Sequence, residues 1–168
     1  MTHPLVKQLR FTRSEFQRAL AGLTDEDARR RILPMNCISW NIAHLAGQEQ
    51  RYWLTRMQGK TLFPHLDELA GYGQPASTPS LDEMLSAWNT ITASCDLYLE
   101  ALTTEILQAP FLIGGRPSKY SLGTVLQRMV YHYWVHIGEI LVIRQMLGNQ
   151  DLPEFVGDLH SQAPYQPN

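Results

Sequence analysis

His132 and His136 stand four residues apart in LGTVLQRMVYHYWVHIGEILVIRQML, and a third histidine, His44, stands in CISWNIAHLAGQEQRYWLTRMQGK. Neutral imidazole is a nitrogen ligand for divalent metals, and an i, i+4 pair on a helix sets two rings side by side where one ion can bridge them. With six histidines in the chain, some such spacing arises by chance in roughly one shuffled sequence in six, so the spacing alone is weak evidence. The steps Leu122, Val125, Met129, His132, His136, Ile140, Ile143 and Leu147 place both rings on one inward apolar stripe, which lowers that chance to the order of a few per cent. His44 falls in the middle of its own helical segment, level with the pair if the two helices run in opposite directions, and is the natural third ligand. Three imidazoles from two helices leave coordination positions open to water or substrate, the arrangement of a catalytic site rather than a closed structural one. The competing reading is a group of neutral core histidines satisfied by tyrosine hydroxyls or backbone.

Residues around these three could orient an imidazole or hold a bound water. Asn41 and Gln48, with Trp40, share the His44 face by helical spacing, and Glu139 follows His136 by one turn. Tyr131, Tyr133 and Trp134 read as packing residues. Arg116 and Lys119, before the last long helix, could meet an anionic substrate or could be part of a solvated loop. His3, His65 and His160 sit in a terminus, a proline-flanked loop and the tail, and read as surface residues. Cys37 and Cys95 form no CxxC and no disulfide framework, and read as reduced and inert.

The elements that must position these groups follow from periodicity and from proline and glycine punctuation. A first helix runs from about Pro4 to Gly22, with Leu5, Leu9, Phe16, Ala19, Leu20 and Leu23 on its stripe. The second follows Pro34 and Asn36 and ends at Gly59. Residues 60–79 carry three prolines and two glycines and are too broken for a regular element. Ser80 and Glu83 form a capping box at the start of the third helix, whose stripe is Met84, Leu85, Trp88, Ile91, Cys95, Leu99 and Leu102. A second irregular stretch, QAPFLIGGRPSKY, leads to Ser121 as the N-cap of the fourth helix, which runs to Gly148. The acidic and basic run Asp25–Arg31 reads as a solvated turn. Four long helices without a convincing strand predict an all-α, four-helix up-down bundle. The long connection between helices 2 and 3 predicts a crossover. The expectation is one domain over residues 1–168, with a core of about 4–148 and a tail, 149–168, lying over the surface or over a partner subunit.

Composition narrows the function classes. Apolar residues make up 44% and charged residues 18% of the 168 residues, so the chain should bury a core. A formal net charge of -2 leaves no basic field for nucleic acid. The first ten residues lack the apolar run of a secretory signal and no stretch approaches a bilayer span, which predicts a cytoplasmic protein without membrane attachment.

With its mid-helix histidine in SWNIAHLAGQEQRYW and its last helix reading YHYWVHIGEI, the chain resembles the DinB/YfiT-like superfamily of metalloenzymes, from the first helix to Gly148. The resemblance implies that His44, His132 and His136 bind a divalent metal, nickel or zinc. The family pattern often has Gly-Gln after the second histidine of the pair, whereas this chain has Gly138 and Glu139; the ligands are unaffected, but the groups behind them can differ. Members of the family act as thiol-dependent transferases and isomerases with a low-molecular-weight thiol as nucleophile, and many form dimers. The resemblance thus implies a homodimeric metal-dependent transferase or hydrolase acting on a small molecule, with no catalytic residue identified beyond the ligands. A non-catalytic metal-binding, stress-response or interaction protein of the same fold is the alternative. A helical module with buried histidines and no metal is the third reading.

Overall fold

Caps and turn residues set the element ends in the computed structural model, which describes residues 2–154 and 156–166; Phe155, Pro167 and Asn168 of the expected tail lie outside them. Helix α1 (Pro4–Leu20) starts where His3 accepts the Leu5 amide on Nδ1, so His3 is a half-buried cap rather than a loose surface group. Gly22, at φ 72°, turns the chain in a left-handed conformation that few side chains tolerate. A short helix α2 (Asp25–Arg29) follows, capped by Thr24 Oγ1 on the Asp27 amide. Residues 25–29 of the run expected as a solvated turn are therefore helical, with their carboxylates at the positive end of the helix, while Arg30 and Arg31 lie beyond it and are exposed.

Helix α3 (Ile38–Glu49) carries His44 and passes without a break into a π-helical segment, Gln50–Arg56, where one α-helix to Gly59 was expected. Residues 60–79 also differ from expectation, because Leu66–Ala70 forms helix α4, with Leu66 and Ala70 one turn apart and both buried. A five-residue helix shows barely one turn of periodicity, too little to register in the sequence. Helix α5 (Leu81–Glu100) begins at the Ser80 cap, and α6 (Thr104–Gln108) at Thr103.

The segment before the last long helix is a hairpin, not an irregular loop: β1 (Pro110–Ile113) pairs antiparallel with β2 (Arg116–Ser121) across Gly114 and Gly115. Its alternation is hidden because β1 buries only Phe111 and β2 buries no residue. Helix α7 (Leu122–Met146) starts at Ser121, whose hydroxyl accepts the Thr124 amide, as expected. In the tail, α8 (Leu159–Gln162) lies on α1, where Gln8 donates to the Ala163 carbonyl. The fold is thus mostly helical with one two-stranded sheet. No helix among the described residues is long and apolar enough to cross a membrane.

Packing pairs α1 with α7 and α3 with α5, and α3 also meets α7. The core is one connected apolar cluster, in which Phe16 of α1 sits 5.3 Å from the Trp88 ring and 5.4 Å from the Tyr133 ring. Inside this cluster lies a buried ion pair. Arg13 Nε and Nη2 donate to the two Glu49 oxygens at 2.7 and 2.8 Å, and Glu49 is fully buried. Tyr133 donates its hydroxyl to Glu49 Oε1 at 2.9 Å, Trp88 Nε1 donates to that hydroxyl at 2.8 Å, and Arg13 Nη1 reaches Asp96 at 3.0 Å. Burial opposes the Arg13 charge, yet the touching Glu49 carboxylate holds its pKa above the ordinary value. Burial, and then the same carboxylate, push the Tyr133 hydroxyl up, so it keeps its proton and donates. The network joins α1, α3, α5 and α7.

Removing one partner of such a pair strands a buried charge. Glu49→Ala is expected to lower the unfolding free energy by about 3–5 kcal/mol in urea titration, and an Arg13→Met/Glu49→Leu double variant to lose less than either single variant. A Glu49→Ala loss under about 0.5 kcal/mol would show that the pair carries no structural weight.

Candidate metal centre

His44 projects from the middle of α3, and His132 and His136 from successive turns of α7. The packing of α3 on α7 brings the rings together: centroids lie 5.1 Å apart for His44 and His132, 5.2 Å for His44 and His136, and 4.7 Å for His132 and His136. One ring nitrogen from each residue lies within 4.8 Å of the others. His132 Nε2 stands 3.3 Å from His44 Nε2 and 3.0 Å from His136 Nε2. Nitrogens about 3.0–3.4 Å apart are what neighbouring ligands at about 2.0–2.1 Å from one ion require.

Hydrogen bonds behind two of the rings decide which nitrogen faces inward. His44 Nδ1 lies 2.8 Å from the Ala70 carbonyl, which only accepts, so Nδ1 carries the proton and Nε2 a lone pair. His136 Nδ1 lies 2.6 Å from Glu139 Oε2. That hydrogen bond, ahead of the charges nearby, lowers the Glu139 pKa, and the ionised carboxylate accepts the Nδ1 proton of His136. His44 therefore turns an Nε2 lone pair towards His132 Nε2, and Glu139 orients the His136 ring so that its Nε2 faces the same point. The three Nε2 atoms converge where one cation can bind them. Burial, reinforced by the neighbouring imidazoles, lowers the His132 pKa to about 3, and burial also lowers that of His44. The donor set, three imidazoles of which two are held from behind by second partners, fits a divalent ion.

A cavity of about 380 Å³ opens on the three histidines. Trp40 lines it and stacks on His44, with ring centroids 4.8 Å apart and planes 9° apart. Asn36, the buried Asn41 and the exposed Glu139 contribute polar groups to its wall. Gln48 is buried in α3 but is not part of that wall. Tyr133 packs in the core, and Trp134 sits 6.5 Å from Phe11. Arg116 and Lys119 are exposed on β2, with Lys119 Nζ 5.1 Å from the Tyr120 ring. His65 and His160 are exposed. Cys37 and Cys95 are free and buried, and burial pushes the Cys95 thiol far above the range of a reactive thiolate.

Sequence reasoning missed one partner of the site and one buried pair in the core. The Ala70 carbonyl leaves no trace in residue type, and it reaches His44 only because α4 folds back on α3. The Arg13–Glu49 pair did carry a signal, since Arg13 lies four residues after Leu9 and three before Phe16 on the buried stripe of α1. A charge on an apolar stripe calls for a buried partner.

No curated protein matches the chain. The family model of the DinB superfamily matches residues 8–140, a span holding all three histidines, Glu139 and the Arg13–Glu49–Tyr133 network. The chain belongs to the DinB superfamily.

Proposed function

We propose that this protein is a divalent-metal-dependent enzyme, a transferase or hydrolase, in which His44, His132 and His136 hold the ion. The supporting observation is the convergence of three ring nitrogens, two of them with their Nδ1 protons already committed to Ala70 and Glu139. When bound, a divalent ion supplies Lewis-acid activation of a thiol or water at its open positions. The chain's own groups do the rest. Glu139 fixes the His136 ring, the Ala70 carbonyl does the same for His44, and Trp40 stacks on the His44 ring. Asn41 lines the wall where a small-molecule substrate would enter.

Family membership supports nickel or zinc as the ion and a low-molecular-weight thiol as cosubstrate. We read the chain as one domain, its long helices α1, α3, α5 and α7 arranged as an up-down bundle in which residues 60–80 form the crossover. Exposed Val142 and Met146 on α7 support a homodimer. A cytoplasmic location completes the reading.

Protein expressed without a histidine tag is expected to carry about one zinc or nickel ion per chain by elemental analysis, and His132→Ala to carry none. Chelation should abolish thiol transfer to electrophiles, or hydrolysis, while far-ultraviolet circular dichroism keeps its helical signal. Protein that cannot be loaded with either metal would reject the proposal; metal-loaded protein inert towards every electrophile tried would reassign it to a non-catalytic metal-binding role.

Glu139→Gln keeps the shape of the carboxylate but not its charge. Its metal dissociation constant, measured by competition with a chromogenic chelator, is expected to rise about 10–100-fold with the helical signal unchanged. An unaltered constant would mean that Glu139 contributes nothing to the ligand set.

A further inference from the structure

His132 also lines a second cavity, of about 660 Å³, a size that suits a small organic molecule. The rings of Tyr52, Phe111, Tyr120 and Tyr131 form much of its wall, and among the described residues its charged lining side chains are Arg56 and Arg128. Among the described residues no carboxylate lines it. Neither Arg56 nor Arg128 has an acidic partner among the described residues, so their charge is not offset within the wall. An apolar pocket with cationic groups and no internal counter-charge is complementary to an anion with an apolar body.

Three parts of the fold converge to make this wall. The π-helical segment supplies Tyr52 and Arg56, and π turns within helices are frequent at functional sites. The hairpin supplies Phe111 and Tyr120, and α7 supplies Arg128 one turn before His132. Arg56 is held in place without an ion pair: its guanidinium carbon lies 5.5 Å from the Tyr52 ring centroid and 5.4 Å from that of Phe111. Stacking fixes the plane of a guanidinium while leaving its N–H edge free for a bidentate acceptor. A group ordered in advance loses less entropy on binding.

We infer that this cavity binds a small organic carboxylate with an aromatic or branched apolar body, its carboxylate on Arg56 with Arg128 adding charge, and its far end against His132. That the ligand is the substrate rests on the metal-dependent reading above; that the cavity takes a carboxylate does not.

Isothermal titration of the full-length, untagged protein with 4-phenylbutyrate and with its neutral isostere 4-phenylbutyramide separates the two. The acid is expected to bind at least about tenfold more tightly than the amide, and Arg56→Gln and Arg128→Gln each to weaken the acid about tenfold with metal content unchanged. Arg128 is exposed, so its variant should keep the parent melting temperature. His44→Ala disrupts the metal cluster without touching this cavity's wall, and should shift the dissociation constant of the acid less than about twofold. Arginine-dependent binding in protein that takes up no metal would sustain this inference while the metal-dependent reading fails. Equal binding of acid and amide, or no binding of either, would overturn it. So would binding lost in His44→Ala but unaltered in both arginine variants, which would put the carboxylate on the metal.

Discussion

The buried pair of Arg13 and Glu49 is the constraint on which the rest of the structure depends. Glu49 closes α3, five residues beyond His44, and it accepts from Tyr133, which stands between His132 and His136 on α7. The hydrogen bond from Tyr133 to Glu49 therefore sets the axial register of α3 against α7, and with it the level at which His44 meets the other two rings. Hydrophobic packing alone is permissive about such a shift, because one aliphatic contact replaces another at little cost. A buried carboxylate is not permissive: slid by one turn, it would lose its donors in a medium that does not solvate it. Ion pairs of this kind add little net stability, and their weight lies in excluding alternatives.

A second constraint turns a histidine cluster into a ligand set. Imidazole offers two nitrogens, and nothing in its own chemistry prefers one as the inward-facing donor. The choice is made from behind, by a main-chain carbonyl for His44 and by a carboxylate three residues along the same helix for His136. The first depends on tertiary folding, since α4 must return to α3 before Ala70 can reach the ring. The second is local, built into the sequence of α7. A site held by one distant and one local partner assembles only when the surrounding elements are in place, which couples its geometry to the completeness of the fold.

Legibility in the sequence followed the strength of the local signal. The long helices α1, α5 and α7 stood out because several turns of apolar periodicity and caps at Ser80 and Ser121 agree. His132 and His136 were readable because spacing and stripe coincide, and His44 because it lies mid-helix on a segment long enough to face them. Helix α4 and the hairpin were missed for opposite reasons: Leu66–Ala70 is too short to show a period, and Arg116–Ser121 presents neither face to the core. The π segment is invisible in principle to periodicity, since Tyr52, Trp53 and Leu54 are consecutive and all buried, and so mark no face at all. Gln48 shared the His44 face by helical spacing, yet its side chain is buried away from the cavity wall.

The same element that carries the metal-centre histidine also ends as a wall of the larger cavity. Between His44 and Arg56 the chain never leaves helical geometry, so the two are held by one continuous set of backbone hydrogen bonds rather than by a loop. His132 borders both cavities while remaining half-buried, open enough to face each and enclosed enough to stay neutral. The walls differ in character: Asn36, Asn41 and Glu139 add polar groups to the histidines in one, and aromatic rings with two guanidiniums shape the other. Positional precision at a site comes from regular elements more than from loops. With His44, Arg56, Arg128 and His132 all on α3, its π extension or α7, the distance between the metal-binding nitrogens and the cationic wall is fixed by helix geometry and by the ion pair beneath them.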